Sequence, residues 1–204
     1  KPVFWVMHDM WCFTGGCHYD SNCCGYINSC KDGRHCSIPA AKMSVWSKAD
    51  ITFIGPSRWM TECAMQSSLL KLHKCITVKN PVDTGVFIPA AEDRIDGKKV
   101  ILFGAMIPGD SRKGLDLLIK ALERLDRDKY RVIIFGNTSG MELSDIKMDL
   151  KLLGNIQGNR KIAEAYNMAD VFIIPSRQEN LSNAVTEAMS CGIPTVAFDI
   201  GGMS

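Results

Sequence analysis

From about residue 98 onward, short runs that are apolar along their whole length alternate with segments of helical periodicity. This alternation constrains the fold more than any other feature of the chain. The runs are KVILFG, YRVIIFG, LLGNI, VFIIP and PTVAF. After the first, GLDLLIKALERL puts Leu115, Leu118, Ile119, Leu122 and Leu125 on one helical face. KIAEAYNMA and NLSNAVTEAMS supply later helices. Strands without a polar face must be covered on both sides, as helices do for a parallel sheet. The expectation is a doubly wound, Rossmann-like α/β domain whose ligand sits outside the carboxyl ends of the strands.

The earlier part is organised differently. PVFWVM reads as a strand that ends at His8-Asp9, and a loop rich in Cys, Gly and Ser runs from 10 to 40. ADITFIG then reads as a strand, RWMTECAMQSSLLK as a helix and CITVKN as a strand. NPVDTGVFIP is punctuated by Pro and Gly and lacks periodicity, which suits a connection. The chain therefore divides into 1–82, a linker at 83–97 and a second domain at 98–204. It opens in a strand-like run and stops just after a strand, so both domains are expected to be incomplete. A net charge of +2 with no dense basic stripe argues against nucleic acid. No apolar run approaches the roughly 20 residues that span a bilayer.

The stretch ENLSNAVTEAMSCG carries two glutamates, Glu179 and Glu187, with seven residues between them. Read as a helix over Asn180–Ser190, it places Glu179 at the carboxyl edge of a strand and Glu187 about two turns along. The N–H groups of Asn180, Leu181 and Ser182 would then face an anion at the helix start. Capping and solvation explain the same two carboxylates equally well on pattern alone.

Context separates the two readings. PSRQENLSNAVTEAMSCGIPTVAFDIGG resembles the signature of family 4 glycosyltransferases of the GT-B fold, which has two Rossmann-like domains with parallel sheets. FGAMIPGDSRKGLDLLIKAL, VKNPVDTGVF and GPSRWM resemble further stretches of that family. WVMHDMWCFTGGCHYDSNC is similar to a run in enzymes of colanic acid and capsular polysaccharide assembly. The resemblance implies transfer of a sugar from a UDP- or GDP-linked donor to a hydroxyl of a growing glycan, with retention of configuration. It implies that His8 and Glu179 contact the donor sugar, Glu187 the ribose, and Lys113, Asn180, Leu181 and Ser182 the diphosphate. Many relatives carry an arginine where this chain has Ala105, a role for which the resemblance leaves Arg112 or Arg58 as the substitutes. Asp9 would orient the His8 imidazole or bind an acceptor hydroxyl, and Gly15 and Gly16 would admit the acceptor or simply make a turn. The family needs no catalytic metal. A lipid-linked acceptor, and contact with the inner face of a membrane from the cytoplasm, are also implied. The rival readings are a GT-B enzyme that phosphorolyses or hydrolyses a glycan, and a non-catalytic binding module.

Nine cysteines are many for this length, and six fall between Cys12 and Cys36. Cys63, Cys75 and Cys191 stand in apolar surroundings and read as buried thiols in a reducing cytoplasm. Cys17, Cys23 (or Cys24), Cys30 and Cys36 could hold a structural zinc, with His18 or His35 as alternates. Their spacings exceed those of zinc ribbons, and reduced thiols packing the loop satisfy the pattern as well.

Overall fold

The computed structural model describes residues 1–21, 23–28, 37–90 and 97–203. It divides into two compact units. The first comprises Lys1–Asn80 with Gln178–Leu181 and Ile200–Ser204, and the second Pro81–Arg177 with Ser182–Asp199.

In the first unit β1 (Val3–Val6), β2 (Ile51–Gly55) and β3 (Lys74–Thr77) form a parallel sheet in that order. Phe53 at its centre is fully buried among Trp5, Trp46 and His73, whose rings lie 5.5–6.3 Å away. α1 spans Ser37–Trp46, where the sequence gives a loop as far as residue 40. Its buried residues are Lys42 and Trp46, while Met43 and Val45 face solvent, so no apolar stripe marks it. The Lys42 amine caps the loop before it, donating to the carbonyls of Trp11 and of Thr14 (3.0 Å) and lying 3.7 Å over the Trp11 ring. Burial pulls its pKa down.

α2 (Arg58–Gln66) begins at Ser57, whose hydroxyl accepts the Met60 N–H at 3.1 Å. The sequence carries this helix to Lys71, but it stops five residues earlier at Gln66. The Ser67 hydroxyl donates back to Ala64 O at 2.7 Å and accepts Leu70 N–H at 3.0 Å, which closes a new turn.

The second unit holds β4 (Lys99–Gly104), β5 (Tyr130–Phe135), β6 (Asp149–Gly154), β7 (Val171–Ile174) and β8 (Thr195–Ala197). All pair in parallel, in the order β6-β5-β4-β7-β8. The connecting helices include α3 (Leu115–Leu122), α4 (Asn159–Asn167) and α5 (Asn183–Ser190). Leu115, Leu118 and Leu122 are buried as the periodicity requires, but Leu125 lies past the helix end and is exposed. β6 starts three residues before the LLGNI run, because an edge strand tolerates Asp149 and Lys151 facing outward. The described part of the 83–97 segment packs on this unit. Phe87 is buried, Asn167 joins Ile88 O and Ala90 N, and Ser190 donates to Phe87 O at 2.6 Å.

Read within its own sheet, the second unit has the strand order 3-2-1-4-5. The order reverses between β4 and β7, and the carboxyl ends of those two strands are where such sheets take ligands.

Candidate functional site

Within the second unit, the loop after β4 and the loop after β7 meet at this switch point. Ser111–Lys113 form one 3-10 turn, with the Asp110 carboxylate accepting Arg112 N–H at 2.9 Å and Asp110 O accepting Lys113 N–H at 2.8 Å. Gly114 follows in the left-handed region at φ 71°. A Cβ there would stand 1.9 Å from Pro175 O, so only glycine lets the Lys113 turn lie against the end of β7. Arg177 completes the junction. Its N–H donates to Arg112 O at 2.8 Å, and its guanidinium reaches Ser111 O and both Asp116 oxygens at 2.6–2.8 Å. The Arg177 hydrogen bonds hold the Asp116 carboxyl below the usual carboxylate range. Lys113 and Arg112 are thus half-buried on a braced turn, and Arg112 also lies 3.4 Å from Asp110.

Glu187 projects from α5 and accepts a hydrogen bond from the Tyr166 hydroxyl of α4, O–O 3.0 Å. Burial pushes the Glu187 carboxyl up, and the Tyr166 bond opposes that shift. Tyr166 is itself 1% exposed, with ring contacts to Phe87, Phe135 and Phe172. Burial raises the neighbouring Cys191 thiol as well.

The helix reading of the two-glutamate stretch needs correction. α5 begins at Asn183, not Asn180, and Ser182 is its N-cap, without a side-chain cap bond. Glu179, Asn180 and Leu181 belong to the first unit, whereas Ser182 and Glu187 belong to the second. The cause is Asn180, which is 4% exposed and committed to distant partners. Its amide donates to Met7 O (3.0 Å) and His8 O (3.2 Å), and its carbonyl accepts from the Ser57 hydroxyl at 2.8 Å. Glu179 is 5% exposed, and its backbone oxygen accepts Gly202 N–H at 3.2 Å. Gly201 and Gly202 lie flat on this strand of chain, since a Cβ on either would come within 2.0 Å of the Glu179 or Asn180 carbonyl oxygen.

At the carboxyl end of β1, His8 is exposed and lines a cavity of about 280 Å³ with Asp9, His18, Trp5 and Trp11. Asp9 does not orient His8 here. Its carboxylate lies 2.6 Å from His18 Nδ1 and accepts Trp11 N–H at 2.8 Å, which directs it along its own loop. Gly16 adopts φ 125° beside Thr14, whose hydroxyl takes its N–H and donates to Cys17 O at 2.6 Å. Gly15, Cys17 and Cys23 line a second cavity of about 170 Å³ together with Asp20 and Tyr26. Cys30 and Cys36 lie outside the described residues, and no group of three metal-ligating side chains occurs among the described ones. Cys63 and Cys191 are buried and Cys75 half-buried, close to the sequence reading.

Tyr166, Arg177 and Ser57 escaped assignment as partners of the site from sequence, and His18 was read only as an alternate zinc ligand, whereas it pairs with Asp9 in its own loop. Tyr166 carried only a helical apolar signal, and Arg177 and Ser57 find their partners through the tertiary fold.

Solved structures confirm the class of fold. The chain superposes on sucrose-phosphate synthase from Thermosynechococcus elongatus with a TM-score of 0.72 at 18% identity, over 98% of this chain and 51% of that one. Anabaena HepE, solved in complex with UDP-glucose, gives 0.70 at 17% identity over 99% and 54%. This is the GT-B fold, with two Rossmann-like domains. Residues 97–204, more than half of the chain, match the family described as glycosyl transferases group 1. The chain belongs to that family. A D-inositol 3-phosphate glycosyltransferase of Mycobacteroides abscessus is 32% identical over 159 residues, covering 66% of this chain and 35% of the relative. The chain thus spans about a third of that curated relative's length.

Proposed function

We propose that this chain forms part of an enzyme that moves a sugar from a nucleoside diphosphate donor to a hydroxyl of a growing glycan, with retention of configuration. The observation that carries the reading is the β4/β7 switch point, where a braced turn presents Lys113 and Arg112 beside the end of β7. Lys113 would offset the charge that grows on the leaving diphosphate as the anomeric C–O bond breaks. The acceptor oxygen would bond on the same face, and its proton would pass to that phosphate. Glu187 would accept the ribose hydroxyls, with Tyr166 occupying Oε2 and leaving Oε1 for the ligand. Ser182 would stand beside the diphosphate at the start of α5, with Asn180 and Leu181 preceding it. His8 and Glu179 would position the donor sugar, and Asp9, Gly15 and Gly16 would serve the acceptor side. HepE, of the same fold, is solved with UDP-glucose, and a relative 28% identical over 76% of this chain is a GDP-mannose-dependent mannosyltransferase, which supports a UDP- or GDP-linked donor.

The run around His8 supports a role in cell-surface polysaccharide synthesis of the colanic acid or capsule kind, with a glycan or lipid-linked glycan as acceptor. The cytoplasm, at the inner face of a membrane, would be the setting. No described helix is long and apolar enough to cross a membrane. The transfer itself would need no metal. A structural zinc is a separate proposal, favoured by Cys17 and Cys23 lining one cavity. Calorimetric titration of the chain with UDP and GDP tests the function. Binding of one nucleotide with Kd below about 1 mM is expected, weakened in Lys113→Ala, and no binding to either rejects the reading.

A further inference from the structure

The first unit contains a larger cavity, apart from the His8 loop, that the sugar-nucleotide roles touch at Leu181 and, in the sequence reading, at Arg58. It measures about 550 Å³ and is lined by Arg58, Trp59, Glu62 and Lys79, with Gly201 and Gly202. We propose that it is an acceptor subsite for a sugar bearing an anionic group, a phosphate monoester or a carboxylate, held by Arg58 and Lys79. The proposal rests on the glycosyltransferase reading, because it assigns the second substrate of that reaction.

The placement follows from the sheet. Gly55 at the end of β2 pairs in register with Thr77 at the end of β3. Three residues past Gly55 stands Arg58, and two residues past Thr77 stands Lys79. Both cations therefore follow shortly after a pair of in-register residues at the carboxyl edge of a parallel sheet, the edge at which such sheets bind ligands. Both are exposed, and among the described residues neither has an ion-pair partner. Glu62 is the one carboxylate lining the cavity, so the cationic charge is in excess. A guanidinium and an ammonium that converge on one space match a phosphate or carboxylate better than a neutral hydroxyl.

The remaining lining suits a pyranose. Trp59 is half-buried and offers an aromatic face to the apolar side of a sugar ring. Glu62 supplies acceptor oxygens for ring hydroxyls. The two glycines let the cavity wall lie flat on the Glu179–Asn180 backbone, since a Cβ on Gly201 would meet Glu179 O at 2.0 Å and the Trp59 ring at 3.6 Å. The volume lies within the range of about 300–1,000 Å³ usual for small-molecule sites.

Calorimetry of the chain at low salt with glucose 6-phosphate, glucuronate, glucose and UDP tests this. At least one anionic sugar should bind about tenfold or more tightly than glucose, and the pair of probes separates phosphate from carboxylate. The double variant Arg58→Ala/Lys79→Ala should lose that preference while keeping its circular dichroism, and Lys79→Ala, at an exposed position with no donor role, should lower it while keeping UDP affinity. Anionic sugars that bind no better than glucose, or equally well to the double variant, overturn the proposal. Competition between UDP and the anionic sugar also overturns it, because the cations would then hold the donor. UDP binding without anionic-sugar binding sinks the subsite alone, whereas loss of UDP binding sinks the transferase reading with it.

Discussion

Tyr166→Phe isolates what holds Glu187 in the charged form. The substitution keeps a ring of the same shape against Phe87, Phe135 and Phe172, so packing changes little. It removes one hydrogen bond, the 3.0 Å donation to Glu187 Oε2, from a carboxylate that burial already disfavours. Hydrogen bonds to charged groups contribute about 1.5–3 kcal/mol, so a loss of about 2 kcal/mol is expected at neutral pH. The pH dependence follows from the direction of the shift. Glu187 has its folded pKa raised above its ordinary value of 4.5, so its contribution to stability is fully present below that value. That contribution is lost as pH rises through the folded pKa. The Tyr166 bond limits the loss by lowering that pKa, and without it the folded pKa climbs further. The deficit of the variant should therefore be small near pH 4, at about 1 kcal/mol or less, and grow towards pH 7. Denaturant unfolding at several pH values measures this, with carboxyl carbon NMR following Glu187 itself. A deficit independent of pH, or an unmoved Glu187 titration, would refute the reasoning.

Other substitutions probe other parts of the site. In the complete enzyme, Lys113→Ala and Glu179→Ala should each lower sugar transfer more than about tenfold, and near-normal turnover in both would reject those two roles. Gly202→Ala should cost about 3 kcal/mol in unfolding experiments, since its Cβ would stand 1.6 Å from Asn180 O and 2.5 Å from the Ser57 side chain. An undiminished unfolding midpoint would show that this strand of chain can yield. Elemental analysis of folded protein prepared without metal-affinity steps should find close to one zinc per chain, and less than about a tenth of an equivalent would remove the zinc proposal.

Much of the second unit was legible because its signal is local. β4 and β5 are apolar along their length, and Leu115, Leu118 and Leu122 recur at helical spacing. α1 was not legible, because its buried positions are a lysine and a tryptophan, and Lys42 counts as polar in any pattern although it lies buried under Trp11. Arg177 likewise reads as a loop cation until the fold sets it against Asp116 and Ser111.

The two-glutamate stretch shows where local reading fails and why. On spacing alone a helix from Asn180 costs nothing, since Asn, Leu and Ser all occur in first turns. The alternative appears only when partners more than 120 residues away are counted, as with Ser57 and Asn180, separated by 123. A helical Asn180 would leave the Ser57 hydroxyl without its acceptor and the Met7 carbonyl without its donor, both at buried positions. Each such loss costs about 1–3 kcal/mol, more than one further turn of a short helix returns. The chain therefore stays non-helical through Leu181, with a bend at Asn180, and the helix starts where those obligations end. The shared-helix picture of the two carboxylates gives way to two separate settings. Glu179 is fixed through its backbone by Gly202, and Glu187 through its side chain by Tyr166. Different partners for the two carboxylates, sugar for one and ribose for the other, suit that division better than an acid–base couple, which requires both to act on one bond.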